Sequence, residues 1–200
     1  MGRQRTLVTS GGDSPLPGAA ARRRLQSPDR RFAVQIDVRV EPTSSALPAV
    51  EYRWDEDTDI LTASLRARAA GEGPSGSVEM EGKDGSWVIL DVHAGHIAGV
   101  EVAVWPEVRK VGTLAPPADA APGRVAIPMS GAARGVASLE VETHLAADAD
   151  ADEKTIHFRF GTAHPTRAVR FAQDLVLDID DRDRIAGVWL LNVPPFPGNR

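Results

Sequence analysis

Leu90–Val102 reads LDVHAGHIAGVEV, and Leu177–Leu190 reads LDIDDRDRIAGVWL. Both run Leu-Asp, a polar turn, then Ile-Ala-Gly-Val, and the shared Asp and Gly positions recur 87 or 88 residues apart. In the first stretch Ala94-Gly95 has the character of a two-residue hairpin loop, because glycine adopts positive φ at no steric cost. Pairing outward from that loop sets His93 opposite His96, Val92 opposite Ile97, Asp91 opposite Ala98 and Leu90 opposite Gly99. In the second stretch a three-residue turn, Asp181–Asp183, sets Ile179 opposite Ile185, Asp178 opposite Ala186 and Leu177 opposite Gly187. The same partners return in both, as a half-buried hairpin requires, since a slip of one residue turns every core side chain to solvent.

Working outward, FAVQIDVRV alternates apolar and polar residues, and AVEYRW, DILTASLRA, SVEME, WVILDV and IAGVEVAVW follow as further strand segments separated by turn-forming clusters. A proline-rich stretch from Pro106 to Gly123 interrupts them, and RVAIPM, ASLEVETHL, KTIHFRF, RAVRFA, DLVLDI and RIAGVWLL follow. No long run shows helical spacing, so the chain is expected to be all-β. AVEYRW-DEDT-DILTASLR aligns with LEVETHL-AADADADE-KTIHFRF as strand, acidic turn, strand. The expected architecture is two tandem antiparallel meander repeats packed as a sandwich or closed into a barrel, which buries both apolar faces and shelters the edges. The expected organisation is a basic, flexible arm over 1–31, a first repeat over 32–106, a linker over 107–123, a second repeat over 124–195 and a tail over 196–200.

Each copy resembles a small bacterial domain family of unknown function, whose pattern is roughly Tyr-Asp-x-x-x-Asp-x-Leu-Tyr-Ile, then Asp-x-Asp-x-x-Gly-x-Ile-Val-Gly-Ile-Glu-Ile. The first copy matches at Asp55, Asp59, Leu61, Asp91, Ile97, Gly99 and Glu101, and departs at His93 and at the shifted Gly95. The second keeps Asp178, Asp180, Ile185 and Gly187 but has Trp189 where the family's Glu stands. The resemblance implies a fold and carries no catalytic residues.

Composition narrows the function classes. The 200 residues contain no cysteine, which excludes disulfides and thiolate chemistry. That absence fits the cytoplasmic location expected here, and no apolar run approaches the length of a membrane-spanning helix, so no membrane partner is expected. Residues 1–31 hold seven arginines against two aspartates, a local balance of +5, while the whole chain carries −5. The acidic remainder repels phosphate, so nucleic acid is an expected partner only through the basic arm, at Arg22, Arg23 and Arg24. Twenty arginines against three lysines is the residue bias of a GC-rich bacterial genome.

Three constellations are candidate sites. Asp91, His93 and His96 have the residue types of a divalent-metal set, although the competing reading is an exposed cross-strand pair beside a turn. The acidic turns at Asp55–Asp59, Asp148–Glu153 and Asp178–Asp183 offer oxygen ligands, but aspartate also favours turns through its own backbone hydrogen bonds, and solvated turns are expected. Trp54, Trp87, His157 and Trp189 are candidate linings of a ligand cavity, with core packing as the simpler role for the tryptophans and a surface position for His157. No nucleophile elbow, phosphate loop or dinucleotide fingerprint is present, and no cofactor is expected. The leading expectation is a non-enzymatic binding or assembly module, a homo-oligomer contacting a protein partner or a small-molecule ligand. The rival is a small-molecule enzyme or carrier using a His/Trp-lined barrel cavity.

Overall fold

The computed structural model describes residues 36–66, 73–128, 136–162 and 164–197, all within one unit, Arg31–Arg200. Arg22, Arg23 and Arg24 lie outside the described residues. The chain is all-β: among the described residues there are fourteen strands and no helix, hence no helix long and apolar enough to cross a membrane. The strands are β1 (Arg39–Pro42), β2 (Val50–Asp55), β3 (Ile60–Leu65), β4 (Ser75–Gly82), β5 (Trp87–His93), β6 (His96–Val104) and β7 (Val108–Lys110). There follow β8 (Ala121–Ala126), β9 (Val136–Thr143), β10 (Leu145–Ala149), β11 (Ile156–Phe160), β12 (Arg167–Ala172), β13 (Leu175–Ile179) and β14 (Ile185–Leu190).

The sheet curls as a half-barrel along an eleven-strand path, β7-β10-β11-β14-β13-β12-β8-β6-β5-β4-β9. Strands β2 and β3 branch from β6, giving the order β2-β3-β6-β5-β4 in the first half. The second half has the order β10-β11-β14-β13-β12. In each half a hairpin docks on the last strand of a three-strand meander, so neither half is the simple meander expected from its segment order. Strand β8 joins the halves, antiparallel to β1 and to β6 at His96↔Ala126, and parallel to β12.

Both hairpins contain a bulge that alternation alone did not place. Val92 pairs with Ile97 as expected, but Asp91 pairs with Gly99, leaving Ala98 as the extra residue. Ile179 pairs with Ile185, but Asp178 pairs with Gly187, leaving Ala186 over. The inward residues of β6 are Ile97, Val100 and Val102, and the gap of three between the first two is the mark of the bulge. Its consequence is the same twice over: an aspartate sits opposite a glycine that has no side chain to displace it.

At Gly187 the fit is tight, since a Cβ there would lie 2.6 Å from the Phe158 carbonyl oxygen and 3.0 Å from His157 Nε2. Gly187→Ala is expected to destabilise the fold by about 2–3 kcal/mol, as overpacking against backbone does. Gly112→Ala, where nothing lies within 4 Å, is the control; equal denaturation midpoints for the two variants would refute the packing account.

Further expectations change. The stretch read as an acidic turn, Asp148–Glu153, begins inside β10, where Asp148 is 6% exposed. ASLEVETHL is not the partner of KTIHFRF: it forms β9, which pairs parallel with β4, and LAADA takes its place beside β11. Within the stretch expected as a linker, β7 pairs parallel with β10, while Leu114 and Ala120 pack on Trp189, Val176 and Ala168. The main core draws on both halves, with Leu61, Met80 and Leu90 from one and Phe158, Phe160, Leu175 and Leu190 from the other.

Candidate functional site

The β5–β6 turn is made by Ala94 and Gly95, both at positive φ (50° and 77°). It is pinned by the Gly95 N–H to Pro74 O at 2.7 Å and by the Ile127 N–H to Gly95 O at 2.9 Å. The flanking pair His93↔His96 is thereby held at the mouth of a cavity of about 440 Å³, where β1, β6 and β8 meet. Its floor is apolar, with Leu47, Leu65, Ile97, Val125 and Phe171, the last being the extra residue of a bulge in β12. Its rim is polar, with Glu41, Thr43, Ser45, His93, His96 and Arg124. Glu41 and Arg124 come to the rim because they are cross-strand partners in β1 and β8.

His96 organises the rim. Its Nε2 lies 3.1 Å from Glu41 Oε2, and its Nδ1 lies 2.9 Å from the Ala94 carbonyl oxygen and 3.1 Å from the Arg124 guanidinium. A doubly protonated ring donates to Glu41 and to the carbonyl, and its Nδ1–H then opposes Arg124. A neutral ring with the proton on Nε2 donates to Glu41 and accepts from Arg124. The hydrogen bonds from His96 and Arg39 hold the Glu41 carboxyl below its usual range. His93 Nδ1 is 3.4 Å from the Ser75 hydroxyl, which itself accepts the Ala94 N–H at 3.2 Å.

Of the candidate metal set, His93 and His96 share this rim, whereas Asp91 sits on the sheet face opposite Gly99. The bulge at Ala98 puts Glu101 on the same face as Asp91. Burial first, and the Asp91 charge second, push the Glu101 carboxyl up. Among the described residues no group of three His, Asp or Glu side chains is placed to hold a metal ion.

The four candidate cavity linings occupy three separate places. His157, expected at the surface, is 8% exposed. Its Nε2–H donates to Asp178 Oδ2 at 2.9 Å, the Trp189 indole N–H donates to the same oxygen at 3.0 Å, and the two rings stack with centroids 3.8 Å apart. Trp189 in turn packs with Leu114 and Ala120, so this is a covered polar cluster on the outward side of the second half. Trp54 belongs to a different cavity, with Trp105 and Phe196. Trp87 is 38% exposed and stands beside Glu79, Glu81, Glu140 and Glu142 on the β4–β9 surface.

Sequence reasoning missed Glu41, Arg124 and Phe171, because partners brought together by β1, β8 and β12 leave no local spacing signal. It also missed the role of Asp148. Burial pushes its carboxyl up, but the hydrogen bond from Arg109 at 2.7 Å and the nearby Arg159 charge outweigh burial and hold it below its usual range. No protein-family model matches the chain, and no curated protein matches it.

Proposed function

We propose that the chain is a non-enzymatic binding module whose ligand is a small apolar molecule carrying an anionic group, seated in the cavity between β1, β6 and β8. The observation that carries this reading is the rim around His96. Glu41 is engaged by His96 and Arg39, at 3.1 and 2.8 Å, while the Arg124 guanidinium meets the His96 ring. The rim therefore has a carboxylate already matched and a further cation at its edge, over an apolar floor. A volume of about 440 Å³ lies within the range of small-molecule sites, which are mostly apolar with a few convergent polar groups. An anion arriving at Arg124 gains a charge-assisted hydrogen bond.

The test is thermal stabilisation and calorimetric titration with hexanoate, benzoate and inorganic phosphate. The apolar carboxylates are expected to bind, and Arg124→Ala to weaken them about tenfold, the scale of one charged hydrogen bond. Binding that is unaffected by Arg124→Ala, or the absence of any stabilisation by the carboxylates, overturns the reading.

The likeness of the two halves supports descent from a duplicated unit. They share one strand order, and each places an alanine bulge so that an aspartate faces a glycine. The resemblance to the small bacterial domain family belongs to the same proposal. Closure of the sheet is supported at one joint, where β9 runs through the single residue His144 into β10. That one strand path borders β4 at one end of the sheet and β11 at the other.

A further inference from the structure

We infer that the slot between Trp54, Trp105 and Phe196 is a second ligand site, one that takes an alkylated ammonium group. The slot has a volume of about 200 Å³ and is walled by these three aromatic rings together with Val108, Ile156 and the prolines 194 and 195. Trp54 and Trp105 lie 5.7 Å apart at 20°, and Phe196 stands edge-on to Trp54 at 5.1 Å and 81°. Both indole N–H groups are held by backbone carbonyls. Trp54 Nε1–H donates to the Pro194 carbonyl and Trp105 Nε1–H to the Asp59 carbonyl, each at 2.9 Å. The indole donors are thus spent on backbone, and what the rings have left for a ligand is carbon and π-surface.

The sign of the ligand follows from what surrounds the slot. Asp55, Glu56, Asp57 and Asp59 follow Trp54 directly in the β2–β3 turn. The β10–β11 turn brings Asp150, Asp152 and Glu153, and Glu153 lines the slot itself. Lys154 and Lys110, the latter 2.8 Å from Glu153, offset only part of this charge. A negative field around an aromatic cavity attracts cations, and aromatic faces hold them through the ring quadrupole. The charged acceptor in the walls, Glu153, is already bonded to Lys110, so a primary ammonium would leave most of its N–H groups unpaired, at a desolvation cost. A cation whose nitrogen is covered by methyl groups has no such donors to satisfy. Charge and shape together select a quaternary or fully methylated amine over both a plain ammonium ion and a neutral hydrocarbon.

The experiment follows tryptophan fluorescence of the full chain during titration with tetramethylammonium and choline. Ammonium chloride and 3,3-dimethylbutan-1-ol, the neutral isostere of choline, are run beside them. Saturable binding of the two methylated cations is expected, with the isostere about tenfold weaker or more, since only the charge differs. Glu153→Gln, an exposed change, is expected to weaken the cations several-fold while leaving the melting temperature and the isostere's binding where they were. Trp54→Ala is expected to abolish the signal, but it also removes packing, so the isostere comparison and Glu153→Gln decide the matter without it. Equal binding of choline and its isostere would make the slot a plain apolar pocket and overturn the proposal, as would a titration that does not saturate. Carboxylate binding at the Arg124 cavity is read separately and is unaffected by either result.

Discussion

Replacing Asp180 with alanine is expected to cost about 3–5 kcal/mol of folding stability, the range for removing one partner of a buried charge pair. Asp180 is 3% exposed and closes the turn between β13 and β14. Its Oδ1 accepts the backbone N–H groups of Arg182 and Arg184, both at 2.9 Å, and its Oδ2 accepts Arg184 Nε and Nη2 at 2.9 and 2.6 Å. The Arg184 side chain is itself only 14% exposed, so the alanine variant strands a guanidinium and two N–H groups in one step. Asp180→Asn is expected to recover the turn contacts but not the charge pairing, and to fall between the two. Burial pushes the Asp180 carboxyl up, but the Arg184 hydrogen bonds and the Arg182 N–H outweigh it, leaving the group below its ordinary 3.8. A carboxyl depressed by folding stabilises the native state above its unfolded value, and that stability is lost as pH falls through the folded value. The gap between wild type and Asp180→Asn should therefore be full at neutral pH and shrink below 3.8. Chemical denaturation at the two ends of that range measures it, and a gap that does not change with pH refutes the electrostatic account.

Phe158→Ala is expected to cost about 3–5 kcal/mol as well, for a different reason: it opens a cavity in a core that cannot close over it. Phe158 is fully buried on β11, between Ala147 on β10 and Val188 on β14, and its ring stands 5.7 Å from that of Trp105. The ring therefore packs on Trp105, a wall of the aromatic slot that residues of both halves line. Val104→Ala, at a residue 46% exposed, is the comparison and should change stability by about 0.5 kcal/mol or less. Equilibrium unfolding in urea separates the two, and similar values for both would mean the core tolerates the loss by rearranging.

Much of the fold is legible in the sequence because apolar-rich segments bounded by turn-forming clusters mark strands. WVILDV, KTIHFRF, RAVRFA and DLVLDI all form strands, and the first pairs of both hairpins follow from the turns alone. What alternation does not report is why it breaks. Ile97-Ala98-Gly99-Val100 contains two inward residues three apart, a bulge signal that a strict pairing overrides. Nor does it report whether the outward side stays in solvent. His157 alternates with Ile156 and Phe158 and so faces outward, yet Trp189 and the segment carrying Leu114 and Ala120 lie on that side. The candidate sites were the least legible part. The histidines at the turn were visible as a pair, but Glu41 and Arg124 reach them through pairing of β1 with β8, which depends on the finished sheet.

The route of β9 also bears on the order in which the molecule is made. Strand β4 has β5 on one side and β9 on the other, paired along its whole length from Ser75↔Val136 to Gly82↔Thr143. During synthesis the first half is complete as a hairpin and meander long before its edge has a neighbour. That edge must wait for a strand encoded after β8, and the same strand then enters β10 and starts the second half. Late non-local pairing of this kind slows folding, because loop closure must come before the contacts that reward it. It also means that neither half holds a complete set of its own edges, so the halves rise and fall as one cooperative body rather than as beads on a string.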